Sequence, residues 1–148
     1  IAILLSDGDL LDLAEHYDDG GEDEKEVDTL SILLKRKPDQ SDALFRRALS
    51  LQFLERYGES IKDWTRLISL KSNLSMSYKN RSECKLELKN FSGAEEDASK
   101  VFEFRVNNYT AKSALSVLYE IAKVQNDAEK LTKIQDKIDQ VSQLPDGI

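Results

Sequence analysis

Residues 41–73, SDALFRRALSLQFLERYGESIKDWTRLISLKSN, carry the pattern that decides the fold. Leu44, Ala48 and Leu51 recur at steps of four and three, as one face of a helix requires. Ile61, Trp64, Leu67 and Ile68 repeat that spacing. Between the two runs stands Arg56–Tyr57–Gly58–Glu59, a break marked by its glycine. The reading is therefore two helices, Ala43–Arg56 and Gly58–Leu70, joined by a short turn.

Sliding the chain by thirty-four residues reproduces this unit. Arg47 falls on Arg81, Ala48 on Ser82, Leu54 on Leu88, Tyr57 on Phe91, Ser60 on Ala94, Asp63 on Asp97 and Leu67 on Val101. One step back, Leu10, Ala14, Val27, Leu30 and Leu33 lie under Leu44, Ala48, Ile61, Trp64 and Leu67. One step forward, Leu88 and Ala94 fall on Ala122 and Ala128. The units are separated at Lys37–Pro38–Asp39–Gln40, Lys71–Ser72–Asn73 and Val106–Asn107–Asn108. Pro38 cannot continue the preceding helix, and Asp39 or Ser41 is placed to cap the next.

On these residues the chain resembles the tetratricopeptide repeat family. Each unit of that pattern has a bulky and a small residue four apart on its first helix. An aromatic closes that helix, and a small residue opens the second. The second unit reads Leu44, Ala48, Leu51, Tyr57, Ser60, Trp64, Leu67, and the third Tyr78, Ser82, Phe91, Ala94, Ala98, Val101. The first unit departs at Glu26, where a small residue belongs, and the fourth has Gln125 in place of the aromatic. The resemblance implies an all-α right-handed superhelix, a solenoid of antiparallel helix pairs. It implies one domain over 1–148 with repeats near 7–40, 41–74, 75–108 and 109–142. The chain is expected to be a piece of a longer protein. Ile1–Leu5 reads as the end of an upstream helix, Ser6–Asp9 as a turn, Ala128–Val141 as a polar capping helix and Leu144–Ile148 as a tail. Ala48 and Ser82 are expected where helices approach closely, Trp64 between units, and Arg47 and Arg81 bonded to neighbouring helix ends.

Composition excludes much chemistry. The 148 residues hold one Cys and one His, too few for a disulfide framework or most zinc and imidazole sites. No Gly-rich phosphate loop and no Ser–His–Asp order is present. No enzyme activity, metal or cofactor is expected. The net charge is −7, and eleven of the 28 acids lie in Ile1–Asp28 against one base, Lys25. That balance disfavours nucleic acid and anionic lipid as partners. Gly20 as the glycine of a calcium loop puts Tyr17 at a ligand position, and Gly21 fits worse, so the run reads as a solvated face. Ile1–Leu5, the longest apolar run, falls far short of the ~18 residues of a membrane span and lacks a leader's basic flank. The compartment stays open, with the cytoplasm slightly favoured.

The resemblance also implies an inner face lined by the first helix of each unit. The first unit would offer Leu11, Asp12, Glu15 and Asp18, and the second Asp42, Phe45, Arg46, Leu49, Gln52 and Phe53. The third would offer Met76, Lys79, Asn80, Glu83 and Leu86, and the fourth Thr110, Ser113, Ala114, Val117 and Ile121. Phe45, Leu49 and Phe53 form an apolar stripe, either covered within the array or an anchor for a peptide or helix. Arg46, Gln52, Lys79, Asn80 and Glu83 would supply polar contacts. The chaperone-binding members of the family clamp a C-terminal carboxylate with Lys, Asn, Asn, Lys and Arg. Here those places hold Phe45, Leu49, Asn80, Thr110 and Ala114, or one unit earlier Leu11, Glu15, Arg46, Met76 and Asn80. Asn80 alone matches, in the first register, so a chaperone tail is disfavoured. A structural spacer or self-association element is the alternative role.

Overall fold

The computed structural model describes residues 4–144. Among them lie eight α-helices and no strand: α1 Asp7–Asp19, α2 Asp23–Arg36, α3 Ser41–Phe53, α4 Tyr57–Ser69, α5 Leu74–Glu87, α6 Phe91–Lys100, α7 Asn108–Val124 and α8 Ala128–Gln143. A 3-10 turn, Val101–Glu103, extends α6. The chain packs as two compact units, one ending at Ser72 and one beginning at Asn73.

In the first unit α1 packs on α2, α2 on α3 and α3 on α4. Its core is Leu10, Ala14, Val27, Leu30, Leu33, Leu44, Ala48, Leu51, Trp64 and Leu67, all buried at the helical spacing seen in the sequence. Small residues set the helix separation. The Ser60 hydroxyl on α4 donates to the Ala48 carbonyl on α3 at 2.8 Å, a contact possible only because neither side chain occupies the crossing. Trp64 is fully buried and meets Phe45 of its own pair edge-on, at 5.3 Å between ring centroids.

In the second unit α5 packs on α6, α7 on α8, and α7 also against α5 and α6. Ala94, Ala98 and Val101 meet Ala114, Val117 and Ile121 in one buried cluster, with Phe91, Tyr78 and Leu86 at its edge. Leu115, Ala122 and Ile134 form a second cluster, closed by Leu118, Leu131, Ile138 and Val141. The unit's three later helices have side-chain caps: Asn90 accepts from Gly93 N, Asn107 from Thr110 N and Asp127 from Lys130 N. The Asn90 cap also explains Gly93, where a Cβ would stand 2.8 Å from the asparagine amide.

Several expectations are corrected. Neither Asp39 nor Ser41 caps α3, which starts after Gln40 without a side-chain cap bond. Asp39 is taken by Arg66 of α4 instead. Ser6–Asp9 is the start of α1 rather than a turn: Ser6 is its N-cap, in a reciprocal capping box with Asp9. Arg47 and Arg81 bond carboxylates of their own helix pairs. Arg47 reaches Asp63 and Arg81 reaches Asp97, each with two N–H···O contacts of 2.7–2.8 Å to an acid on the second helix of its own pair. The expectations for Ile1–Ile3 and Pro145–Ile148 lie outside the described residues.

Five helix ends share one geometry. After α3, Arg56 N donates to Leu51 O and Glu55 N to Gln52 O; the ends of α1, α4, α5 and α7 repeat this double bond. The motif needs a left-handed residue. Gly21 supplies it after α1, but Glu55, Lys71, Lys89 and Asn126 supply it elsewhere, at φ of 54–59°. A side chain in that region costs about 1–2 kcal/mol, against about 0.5–1 kcal/mol of extra entropy lost by glycine. Lys89 is exposed. Lys89→Gly is therefore expected to stabilise the fold by about 0.5–1 kcal/mol, read as a higher urea midpoint. An unchanged or lower midpoint would show that the turn is not strained.

Candidate protein-interaction faces

The α3 stripe is only partly exposed. Phe45 is half-buried against Trp64, Leu49 and Gln52 are half-buried, and Phe53 stands 79 % exposed at the helix end. Four-residue steps place Phe45, Leu49 and Phe53 along one side of α3, about 140° round from Ala48 at its last member. The first unit thus presents one large apolar ring to solvent, while the neighbouring Gln52 amide oxygen is buried.

Three expected polar contacts are corrected. Arg46 is held inside the first unit: its Nε and Nη2 donate to Glu26 Oε1 at 3.1 and 3.0 Å. Ser50 donates to the other Glu26 oxygen at 2.6 Å. This also explains how a carboxylate stands where a small residue belongs. Glu26 is buried, but both its oxygens are bonded, one to a cation, and the small side chain opposite is Ser50. Lys79 is only 4 % exposed and Asn80 2 %. Lys79 Nζ donates to Asn80 Oδ1 at 2.9 Å, pairs with Glu83 at 3.2 Å and lies 5.4 Å from the Tyr109 ring centroid. Both are spent on the interior of the second unit, and the Asn80 amide nitrogen is buried without a partner. Glu83 stays half-exposed.

The fourth set is corrected too. Thr110, Ala114, Val117 and Ile121 are buried, because α7 turns this side onto the small residues Ala94 and Ala98 of α6. Gln125 caps the end of α7 rather than filling an aromatic's place.

Ion pairs dominate the titratable groups. The Asp97 bond pushes the Arg81 guanidinium further up, and the Arg56 guanidinium holds the Glu59 carboxyl below its usual range. Both are charged at any physiological pH, so neither supplies a proton donor or base near neutrality. Among the described residues no three His, Cys, Asp or Glu side chains gather as a metal site. None of the described helices is long and apolar enough to cross a membrane.

No protein-family model matches the chain. It is 33 % identical over 93 residues to RNA polymerase II-associated protein 3 of Xenopus tropicalis, which aligns 62 % of the chain and 14 % of that protein. The Xenopus laevis protein of the same name is 35 % identical over 69 residues, 47 % of the chain and 10 % of its own length. The chain thus spans a small part of the relatives it matches. Among solved structures, the MamA protein superposes with a TM-score of 0.83 at 11 % identity, over 92 % of the chain and 73 % of its own. The TPR2B domain of yeast Sti1, solved as a complex with pHsp70, gives 0.57 at 18 % identity, covering 93 % and 96 %. PilW, a type IV pilus biogenesis factor, gives 0.55 at 13 %, covering 94 % and 79 %.

The chain has the tetratricopeptide-repeat fold. Proteins of this fold are typically protein-interaction modules rather than enzymes. The tetratricopeptide pairs explain why the Arg47–Asp63 and Arg81–Asp97 bridges stand thirty-four residues apart, at equivalent places in successive repeats.

Proposed function

We propose that this chain is a non-enzymatic module that holds a peptide or helix of a partner protein against the outward face of α3. Phe53 is the anchor, and Leu49 and the free edge of Phe45 extend it. Of Lys79, Asn80 and Glu83 in the second unit, Glu83 is the one that still reaches solvent. The observation that carries the reading is Phe53, a large ring left 79 % exposed in line with Leu49. Exposed aromatics of this kind supply most of the energy where they enter a partner's pocket. A C-terminal chaperone tail is not the proposed ligand, although the Sti1 domain was solved with pHsp70. Asn80, the residue at a clamp position, is buried and its oxygen already bonded to Lys79. From the Xenopus relatives we carry over only the class of partner, a protein assembly.

The test places a photo-crosslinking residue at position 53, 49 or 62 in the full-length parent protein. Lys62 is exposed on α4, so it controls for accessibility. Positions 53 and 49 are expected to capture the same partner and position 62 to capture little of it. Phe53→Glu is expected to weaken that partner's binding at least tenfold with the folding midpoint unchanged. Equal capture at all three positions would remove α3 as the binding face.

A further inference from the structure

Between α2 and α4 of the first unit runs a groove lined by Ser31, Leu34, Arg47, Asp63 and Arg66, among others. Sixty-eight residues on, two repeats later, the second unit has the matching groove between α6 and α8. Ser99, Phe102, Leu115 and Ile134 stand at the places of Ser31, Leu34, Arg47 and Arg66. Leu131 replaces Asp63. The two grooves therefore differ in kind. In the first, the Arg47–Asp63 bridge and the Arg66–Asp39 pair fill the floor and rim with bonded charge. In the second, those charges are leucine and isoleucine. The two cavities are of similar size, about 390 and 480 Å³, both within the ~300–1,000 Å³ of ligand sites, so it is the apolar lining that sets the second apart.

Leu115, Leu118, Ile134 and Val141 line this cavity and Phe102, 45 % exposed, stands at its mouth. Lys137 and Gln140 line it from α8 and Ser99 from α6. These three polar side chains are exposed and carry no bond among the described residues. Lys137 is the one charged lining group, and no acid lines the cavity. The chain is acidic, but that charge lies mostly in the first unit; from Asn73 onward twelve acids stand against eleven bases.

We infer that the groove between α6 and α8 is a second docking site, for a short protein segment that pairs bulky apolar side chains with a carboxylate. The apolar side chains enter between Phe102, Leu118 and Val141, and the carboxylate meets Lys137. Gln140 and Ser99, on opposite walls, are donors and acceptors for the segment's backbone, which an acyl chain could not use. This site stands apart from the α3 face and does not depend on it.

The test is fluorescence polarisation of the whole chain with two labelled peptides of about twelve residues, each with Leu at helical spacing, one filled with Glu and one with Lys. The Glu peptide is expected to bind at one site and the Lys peptide at least fivefold more weakly, opposite to what the net charge of −7 would give. Phe102→Asp and Ser99→Trp, the second a plug that removes no buried contact, are each expected to weaken the Glu peptide more than tenfold. Lys137→Glu is expected to weaken it roughly three- to tenfold, the scale of one exposed ion pair lost and one repulsion gained. Phe53→Glu is expected to change nothing, which separates this site from the α3 face. No binding of the Glu peptide, equal binding of both peptides, or indifference to Phe102→Asp and Ser99→Trp would each overturn the inference. So would saturable binding of dodecanoate in its place, or concentration-dependent dimerisation abolished by Ser99→Trp.

Discussion

Asp97→Ala is expected to cost about 3–5 kcal/mol of folding stability, the scale on which removing one partner of a buried ion pair operates. Asp97 is 2 % exposed, accepts two bonds from Arg81 at 2.7 Å and pairs with Lys85 at 2.7 Å. Without the carboxylate, two cations face each other in a place from which water is largely excluded. Both side chains keep some access to solvent, which places the loss nearer the lower figure. Asp63→Ala should cost less, because Arg47 is more exposed than Arg81 and because Asp97 holds Lys85 as well. The fourth repeat supplies the control. At the places of Arg81 and Asp97 it has Leu115 and Leu131. Arg81→Leu combined with Asp97→Leu should therefore recover most of what Asp97→Ala loses. Urea unfolding followed by circular dichroism, at low salt and at 1 M, measures the series. Screening at 1 M reaches charges in water and hardly touches this one, so the loss should persist. A cost for Asp97→Ala below about 1 kcal/mol would mean that Asp97 behaves as a surface carboxylate.

That the two bridges are equivalent was legible in the thirty-four-residue shift, which lays Arg47 on Arg81 and Asp63 on Asp97. That they bond each other was not, because a spacing of sixteen residues carries no period of its own. It links two helices through a turn, and only the packing of the pair brings them to 2.7 Å. The core positions were legible for the opposite reason: burial recurs every three or four residues, so Leu44, Ala48, Leu51 and Trp64 announce themselves. The polar members of the expected face were not. Arg46 and Lys79 look alike as charged residues on first helices, and both turned inward. One answers Glu26 on α2, the other Asn80, Glu83 and the ring of Tyr109. A long cation can snorkel either way, and the neighbour that decides lies elsewhere in the chain. The apolar groove beside Phe102 did leave a trace, the exchange of an Arg–Asp position pair for Leu115 and Leu131. Its meaning depends on knowing that the pair is a bridge.

Ala48→Leu should be nearly as damaging as Asp97→Ala, at about 3 kcal/mol, and through volume rather than charge. Ala48 has no exposure, and Ser60 on the facing helix sits close enough to donate to the Ala48 carbonyl at 2.8 Å. Three added carbons would have to fit into that crossing. Overpacking of this kind costs about 1–3 kcal/mol where neighbours can shift, and Leu44, Leu51 and Leu67 around it are already buried. The hydrogen bond itself contributes little, since the Ala48 carbonyl lies mid-helix and retains its backbone acceptor role. Ser60→Ala should therefore cost no more than about 1 kcal/mol. The two variants separate the steric role of these small side chains from the polar one. If Ser60→Ala proved as costly as Ala48→Leu, the hydroxyl and not the space would hold α3 to α4. Trp64 is the chain's one tryptophan and is buried in the same pair, so its fluorescence follows this unfolding directly. The change also tests the repeat. Ala94, equally buried, falls on Ser60 in the thirty-four-residue shift, so Ala94→Leu should close the α5–α6 crossing at similar cost. Phe53 lies on a different side of α3 from Ala48, so Ala48→Leu should lower the folding midpoint while any partner bound at Phe53 is still held at temperatures where the variant remains folded.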